Sequence, residues 1–267
     1  MDNTLFVFGD SFTQGHHNFE TYGAYADFKK YRGGKLFDLW PTILSNKLNL
    51  DLENHGHAGT GNDDIFSSIC ENINKIKKGD VVIIGWTFIT RFRWVIENGF
   101  WRTIHGGPDD SISESTRKEI LINRFNPRYA ITIYEYEKII DTLAKSVGFD
   151  VYYWSAENNL IYCLPNKNQR KYLINDLIKP GETLFFEIFR RGGKTIQEES
   201  NNTISDIHLG ESGHKIQGEL FYNYIMNIEE EPCEYVILTP DENPFLTPHL
   251  APNYDPVRIH EYQLHEK

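Results

Sequence analysis

Residues Val81-Val82-Ile83-Ile84-Gly85 form an unbroken apolar run, entered through the turn Gly79-Asp80. Branched side chains favour extended backbone, and a run without polar alternation offers no face to water. Such a strand fits a parallel sheet covered on both sides.

The rest of the chain supplies partners for that strand. Leu5 to Phe8 is a short apolar run ended by Gly9-Asp10-Ser11, and it reads as a second buried strand. Leu50 to Glu53 is a weaker strand leading into the glycine-rich turn from Asn54 to Asn62, and Phe149 to Trp154 is a fourth. Helical spacing appears between them. Leu39, Trp40, Ile43, Leu44 and Leu48 share one face, with Pro41 suited to the first turn. Asp63 or Asp64 is expected to cap a helix running to Ile76, with Ile65, Ile69, Ile73 and Ile76 inward. Tyr129 to Val147 is a long amphipathic helix, and a closing helix is expected from about Gly213 to Ile228. Residues 12–34 read as loop with room for a helix. Residues 158–204 mix helix-like and loop-like stretches without a clear fifth strand.

Strands alternating with helices predict an α/β fold, a flavodoxin-like three-layer α/β/α sandwich with a mainly parallel sheet. Functional groups in such sheets gather at the carboxyl ends of the strands, where the first three strands here end in glycine-bearing turns. The expected division is one α/β domain over residues 1–228, carrying an aromatic and basic insertion at about 87–127, and an extended C-terminal tail over 229–267. Pro232, Pro240, Pro244, Pro248, Pro252 and Pro256 leave no room for a helix in that tail, which is expected to lie on the body or on a protein partner.

A chain of 267 residues is long enough for one large domain with a substantial core. Its formal net charge of -11 opposes binding to nucleic acid or to anionic membrane. Arg91, Arg93 and Arg102 are the nearest thing to a basic patch, and aromatics intersperse them. They either line a cleft with Trp94 and Trp101 or serve packing and solvation. Cys70, Cys163 and Cys233 are widely spaced with no CxxC pair, against a disulfide framework or structural zinc and in favour of a reducing compartment. The amino terminus has no basic region followed by an apolar run, so no signal peptide is expected, and no apolar stretch reaches the ~20 residues of a membrane span.

Two segments carry chemistry. Ser11 follows a buried strand, in a turn that can aim backbone N–H groups at a developing oxyanion. A serine hydroxyl is a poor nucleophile without a base. The segment from Ser205 to His214 sets Asp206 two residues from His208, so a carboxylate can hold an imidazole in the tautomer that accepts a hydroxyl proton. His214 is the rival base, although Gly213-His214 looks like the start of the closing helix.

Gly9-Asp10-Ser11, the turn Asn54-x-Gly56-x-x-Gly59, and Asp206-x-His208 followed by Gly213-His214 resemble, in order and separation across roughly residues 4–228, three blocks of the SGNH (GDSL-like) hydrolases. The resemblance implies Ser11 as nucleophile, with Asp206 and His208 completing a triad. It also implies an oxyanion hole built from the N–H groups of Ser11 and Gly59. Two departures stand out. The last block of the family usually reads Asp-x-x-His. After strand three the family often reads Gly-x-Asn-Asp, where this chain reads Gly85-Trp86-Thr87-Phe88. The missing asparagine donor then falls to Asn62, slightly favoured, or to the hydroxyl of Thr87.

No metal or cofactor is expected. His16-His17 and His55 with His57 match no strong ligand spacing, and Gly59-Thr60-Gly61 lacks the Lys-Ser/Thr of a phosphate loop. The implied activity is ester hydrolysis through an acyl-serine. A carbohydrate O-deacetylase is the foremost substrate class, because aromatic side chains stack on sugars, and a lipid or small acyl ester follows closely. Such hydrolases also occur among bacteriophage proteins, so a cytoplasmic or virion-associated setting is expected. The alternative is a non-catalytic protein that keeps this fold as a structural or binding part of a larger, for example viral, assembly.

Overall fold

In the computed structural model the described residues are 3–14, 23–87, 91–95, 101–104, 128–155, 173 and 184–228. At 23–25, 92–95, 101–104 and 128–131 the description covers backbone alone. The chain divides into two units, Met1–Cys233 and Glu234–Lys267. The second unit, like most of the expected insertion, lies outside the described residues.

Four strands form one all-parallel sheet: β1 (Thr4–Gly9), β2 (Asp51–Gly56), β3 (Val81–Trp86) and a later strand, Asp150–Ser155. A separate antiparallel hairpin of β4 (Phe92–Val95) and β5 (Trp101–Ile104) follows β3, so the later strand is β6. The main sheet runs in the order β2-β1-β3-β6. β1 pairs with both neighbours, Phe8 lying opposite His55 on β2 and Ile84 on β3. Past their first residue, β1, β3 and β6 are buried throughout, as the apolar runs require, whereas edge strand β2 is half-buried.

Helices cover both faces. On one, Phe6, Phe8, Val82, Ile84, Val151 and Tyr153 meet α3 (Asn62–Asn72) and α4 (Arg128–Val147). Ile65 and Ile69 of α3 and Ile133 and Ile140 of α4 fill that layer, and Phe66 stacks on Tyr136 at 3.9 Å. On the other, Trp40 of α2 (Trp40–Leu48) meets Trp154 of β6 and Phe221 of the last helix, α7 (Glu211–Ile225). Rings packed edge to face at 5–6 Å gain from their quadrupoles beyond simple burial. Gly85 is paired with Trp154, and a Cβ there would come within 2.5 Å of the indole. The remaining helices are α1 (Gly23–Tyr31), α5 (Leu184–Arg190) and α6 (Ile196–Glu199). The fold is thus the expected three-layer α/β/α arrangement, with no fifth strand in the main sheet among the described residues.

Several boundaries differ from expectation for local reasons. β2 runs to Gly56, beyond Glu53, because its pairing with β1 continues that far. Gly61, rather than Asp63 or Asp64, is the N-cap of α3, and the Asp64 carboxylate accepts the Gly61 N–H at 3.0 Å. That helix ends at Asn72, and a single 3-10 turn, Ile73–Lys75, leads to Ile76. α7 starts at Glu211, two residues before Gly213, because the Glu199 carboxylate accepts the N–H groups of Glu211 and Ser212.

Candidate active site

Ser11 leaves the carboxyl end of β1, one of the two central strands, next to the point where the strand order reverses. The turn that carries it is held from several sides. The Trp40 indole donates to the Phe12 carbonyl at 2.7 Å, and the Asn54 amide donates to the Thr13 carbonyl at 2.8 Å. Asn54 also accepts from the Gly56 N–H at 2.8 Å. A Cβ on Gly56 would lie 2.6 Å from the Thr13 carbonyl carbon, so a glycine is needed where the turn crosses β2. The next turn closes with the His57 N–H donating to the Gly9 carbonyl at 3.0 Å. Gly59 there has φ of +77°, a region that costs other residues strain.

Asp206 and His208 reach Ser11 from a loop held by α6. The Ile196 N–H donates to the His208 carbonyl at 2.8 Å, and the Gln197 N–H donates to the Asp206 carbonyl at 2.9 Å. Thr195 caps α6 in a reciprocal box with Glu198. The Asp206 carboxylate oxygen Oδ1 accepts the His208 backbone N–H at 2.7 Å and lies 2.6 Å from ring atom Nδ1. Ring atom Nε2 lies 2.8 Å from Ser11 Oγ. A carboxylate beside Nδ1 accepts a hydrogen bond from Nδ1–H and so keeps the ring proton there, which leaves Nε2 as the acceptor for the serine hydroxyl. The ring also packs on Phe12 at 4.8 Å. The structure therefore brings Ser11, His208 and Asp206 together in the order a proton transfer needs.

His214 sits elsewhere. It is buried in the first turn of α7, packs on Phe37, and lies 3.4 Å through Nδ1 from the Trp40 N–H. Asn62 and Thr87 bind one another. The Asn62 amide donates to the Thr87 carbonyl at 3.1 Å and accepts the Thr87 N–H at 2.8 Å. The Thr87 hydroxyl donates to Asp10 at 2.5 Å. These bonds commit the Thr87 hydroxyl proton to Asp10 and one amide proton of Asn62 to the end of β3. The N–H groups of Ser11 and Gly59 make no hydrogen bond among the described residues.

Sequence reasoning named Asp10 only within the Gly-Asp-Ser turn and Arg91 only as a cleft-lining or packing residue, and missed their pairing. The Asp10 carboxylate is 2% exposed, accepts the Phe12 N–H at 3.0 Å, and pairs with the Arg91 guanidinium at 2.8 Å. The Gly-Asp-Ser triplet marks Asp10, but nothing in the spacing points to Arg91. His55 stacks on Phe8 at 5.0 Å, with Glu53 3.3 Å away. Burial lowers its pKa, and Glu53 only partly opposes that. His57 is exposed. Among the described residues no cluster of His, Cys, Asp or Glu has the arrangement of a metal site, and no helix is long and apolar enough to cross a membrane. His16, His17, Cys163, Cys233 and the side chains of Arg93, Trp94, Trp101 and Arg102 lie outside the described residues.

No protein-family model matches the chain, and no curated protein matches it in sequence. Three solved structures are similar in layout. One is a protein assigned to the G-D-S-L lipolytic family from Desulfitobacterium hafniense, with 14% identity and TM-score 0.46 over 84% of this chain and 99% of that one. Another is the protein YxiM from Bacillus subtilis, with 13% identity and TM-score 0.47 over 85% of this chain and 57% of that one. The third is a catalytic mutant of an acetylxylan esterase from Geobacillus stearothermophilus, with 13% identity and TM-score 0.34 over 84% of this chain and 94% of that one.

Proposed function

We propose that the chain is a serine ester hydrolase of the SGNH type, acting through an acyl-serine intermediate. One observation carries this reading: residues 197 positions apart place Ser11 Oγ 2.8 Å from His208 Nε2, while Asp206 backs the same ring at 2.6 Å. His208 takes the Ser11 proton as Oγ bonds to the ester carbonyl carbon, and the carbonyl electron pair moves onto oxygen. The N–H groups of Ser11 and Gly59 are the donors for that oxyanion. Collapse expels the alcohol, which takes the proton from His208. Water then attacks the acyl-serine with His208 again as base, freeing the acid and restoring Ser11. Asp206 stabilises the imidazolium at both stages.

An O-acetylated carbohydrate is the substrate class we favour, because Trp94, Trp101 and neighbouring aromatics follow β3 in sequence and planar rings stack on sugars. Lipid or small acyl esters are the nearest competitors. A cytoplasmic or virion-associated setting, with the tail engaging a protein partner, belongs to the same proposal. The expected result is turnover of p-nitrophenyl acetate by the native chain and loss of more than about a thousandfold in Ser11→Ala. Equal turnover by both proteins removes the serine mechanism. The commitment of the Thr87 hydroxyl to Asp10 favours a second reading, a binding protein without efficient catalysis. A fluorophosphonate probe separates the two, since only an activated Ser11 forms an adduct.

A further inference from the structure

We propose that Arg91 is a positioning residue for Ser11, acting through the Asp10 carboxylate, and that it ties the β4–β5 hairpin to the nucleophile turn. This rests on the hydrolase reading. Asp10 directly precedes Ser11, and its Oδ1 accepts the N–H of Phe12, the residue directly after. One carboxylate thus brackets the nucleophile on both sides. Its other oxygen, Oδ2, takes the Thr87 hydroxyl at 2.5 Å and Arg91 at 2.8 Å, and Arg91 also reaches the Thr87 hydroxyl at 3.1 Å. Asp10 is 2% exposed, so its charge is stripped of water. Neutral donors alone do not offset such a charge, and a buried carboxylate needs a cation or a change of arrangement. Among the described residues no other cation pairs with Asp10.

The pair spans 81 positions and links the residue directly after β1 to the residue immediately before β4. The turn holding Ser11 therefore depends on a charge delivered by the residue that leads into the hairpin. Without that charge the Asp10 carboxylate turns toward solvent and releases Phe12 and Thr87. Ser11 Oγ then leaves the 2.8 Å contact with His208 for part of the time.

The test uses the full chain and five forms: native, Arg91→Lys, Arg91→Met, Asp10→Asn and Asp10→Asn with Arg91→Met. The rate of Ser11 labelling by a fluorophosphonate probe is read beside kcat and KM for p-nitrophenyl acetate. Arg91→Met should slow labelling and kcat by about 10- to 100-fold, the scale of a nucleophile misplaced by about an ångström, with KM nearly unchanged. Arg91→Lys should recover part of the loss. The double variant should label faster than Arg91→Met alone, because a neutral amide at position 10 needs no cation. Labelling of Arg91→Met at the native rate overturns the inference, as does a double variant no faster than the single one. If Arg91→Met does not fold, Arg91→Lys and the double variant against Asp10→Asn still decide it. A native chain that the probe leaves unmodified overturns the hydrolase reading, and this inference with it.

Discussion

At the scale of single residues, the Asp206 carboxylate carries two tasks on one oxygen. Oδ1 accepts the backbone N–H two residues on, at 2.7 Å, and stands 2.6 Å from the ring of that same residue. An aspartate naturally closes such a turn onto the i+2 N–H. A two-residue spacing therefore brings the carboxylate onto the imidazole by closing this turn, which explains how the shortened block brings the groups together. Asp206→Asn should lower kcat by about 10³- to 10⁴-fold with little change in KM, because an amide can stabilise the wrong ring tautomer. Steady-state kinetics on a chromogenic ester decide this, and a loss below tenfold would count against the ring-orienting role. The meeting of Ser11, Asp206 and His208 was legible in the sequence because each lies in a short motif at a strand end or before a helix. The engagement of Asn62 was not, because the direction of a side-chain amide is set by neighbouring backbone groups, here those of Thr87. Arg91 was equally hidden, since a pair across 81 positions leaves no local spacing to read.

At the scale of elements, the short helix α6 matters out of proportion to its length. Its first N–H groups hold the carbonyls of His208 and Asp206, and Thr195 caps it. Thr195→Ala should cost about 1 kcal/mol of stability, as loss of an N-cap usually does. It should also speed amide exchange at Ile196 and Gln197 while leaving β1 and β3 protected, as urea unfolding and native-state hydrogen exchange would report. Exchange unchanged at those two amides would mean that the cap does not hold the loop. Strands β1 and β3 were readable from apolar runs, and α2 and α4 from periodicity. The start of α7 was not readable, because Glu199 satisfies its first N–H groups from twelve or more positions upstream. Periodicity records which face a helix buries and is blind to a cap that comes from elsewhere in the chain.

At the scale of the whole molecule, the order β2-β1-β3-β6 places the Ser11 turn at the carboxyl end of a central strand, tied to the helical layer through Trp40. The sheet and both helical layers lie within the unit Met1–Cys233. A chain ended after Cys233 should therefore keep the melting temperature and probe-labelling rate of the full chain, and failure to fold would show that the last 34 residues belong to the core unit. The loop bearing the acid and the base adds one more consequence. Both ride on a single tight turn bolted to α6, so they travel together. A displacement of that turn as a whole would keep the imidazole beside its carboxylate and lengthen the gap between ring and hydroxyl.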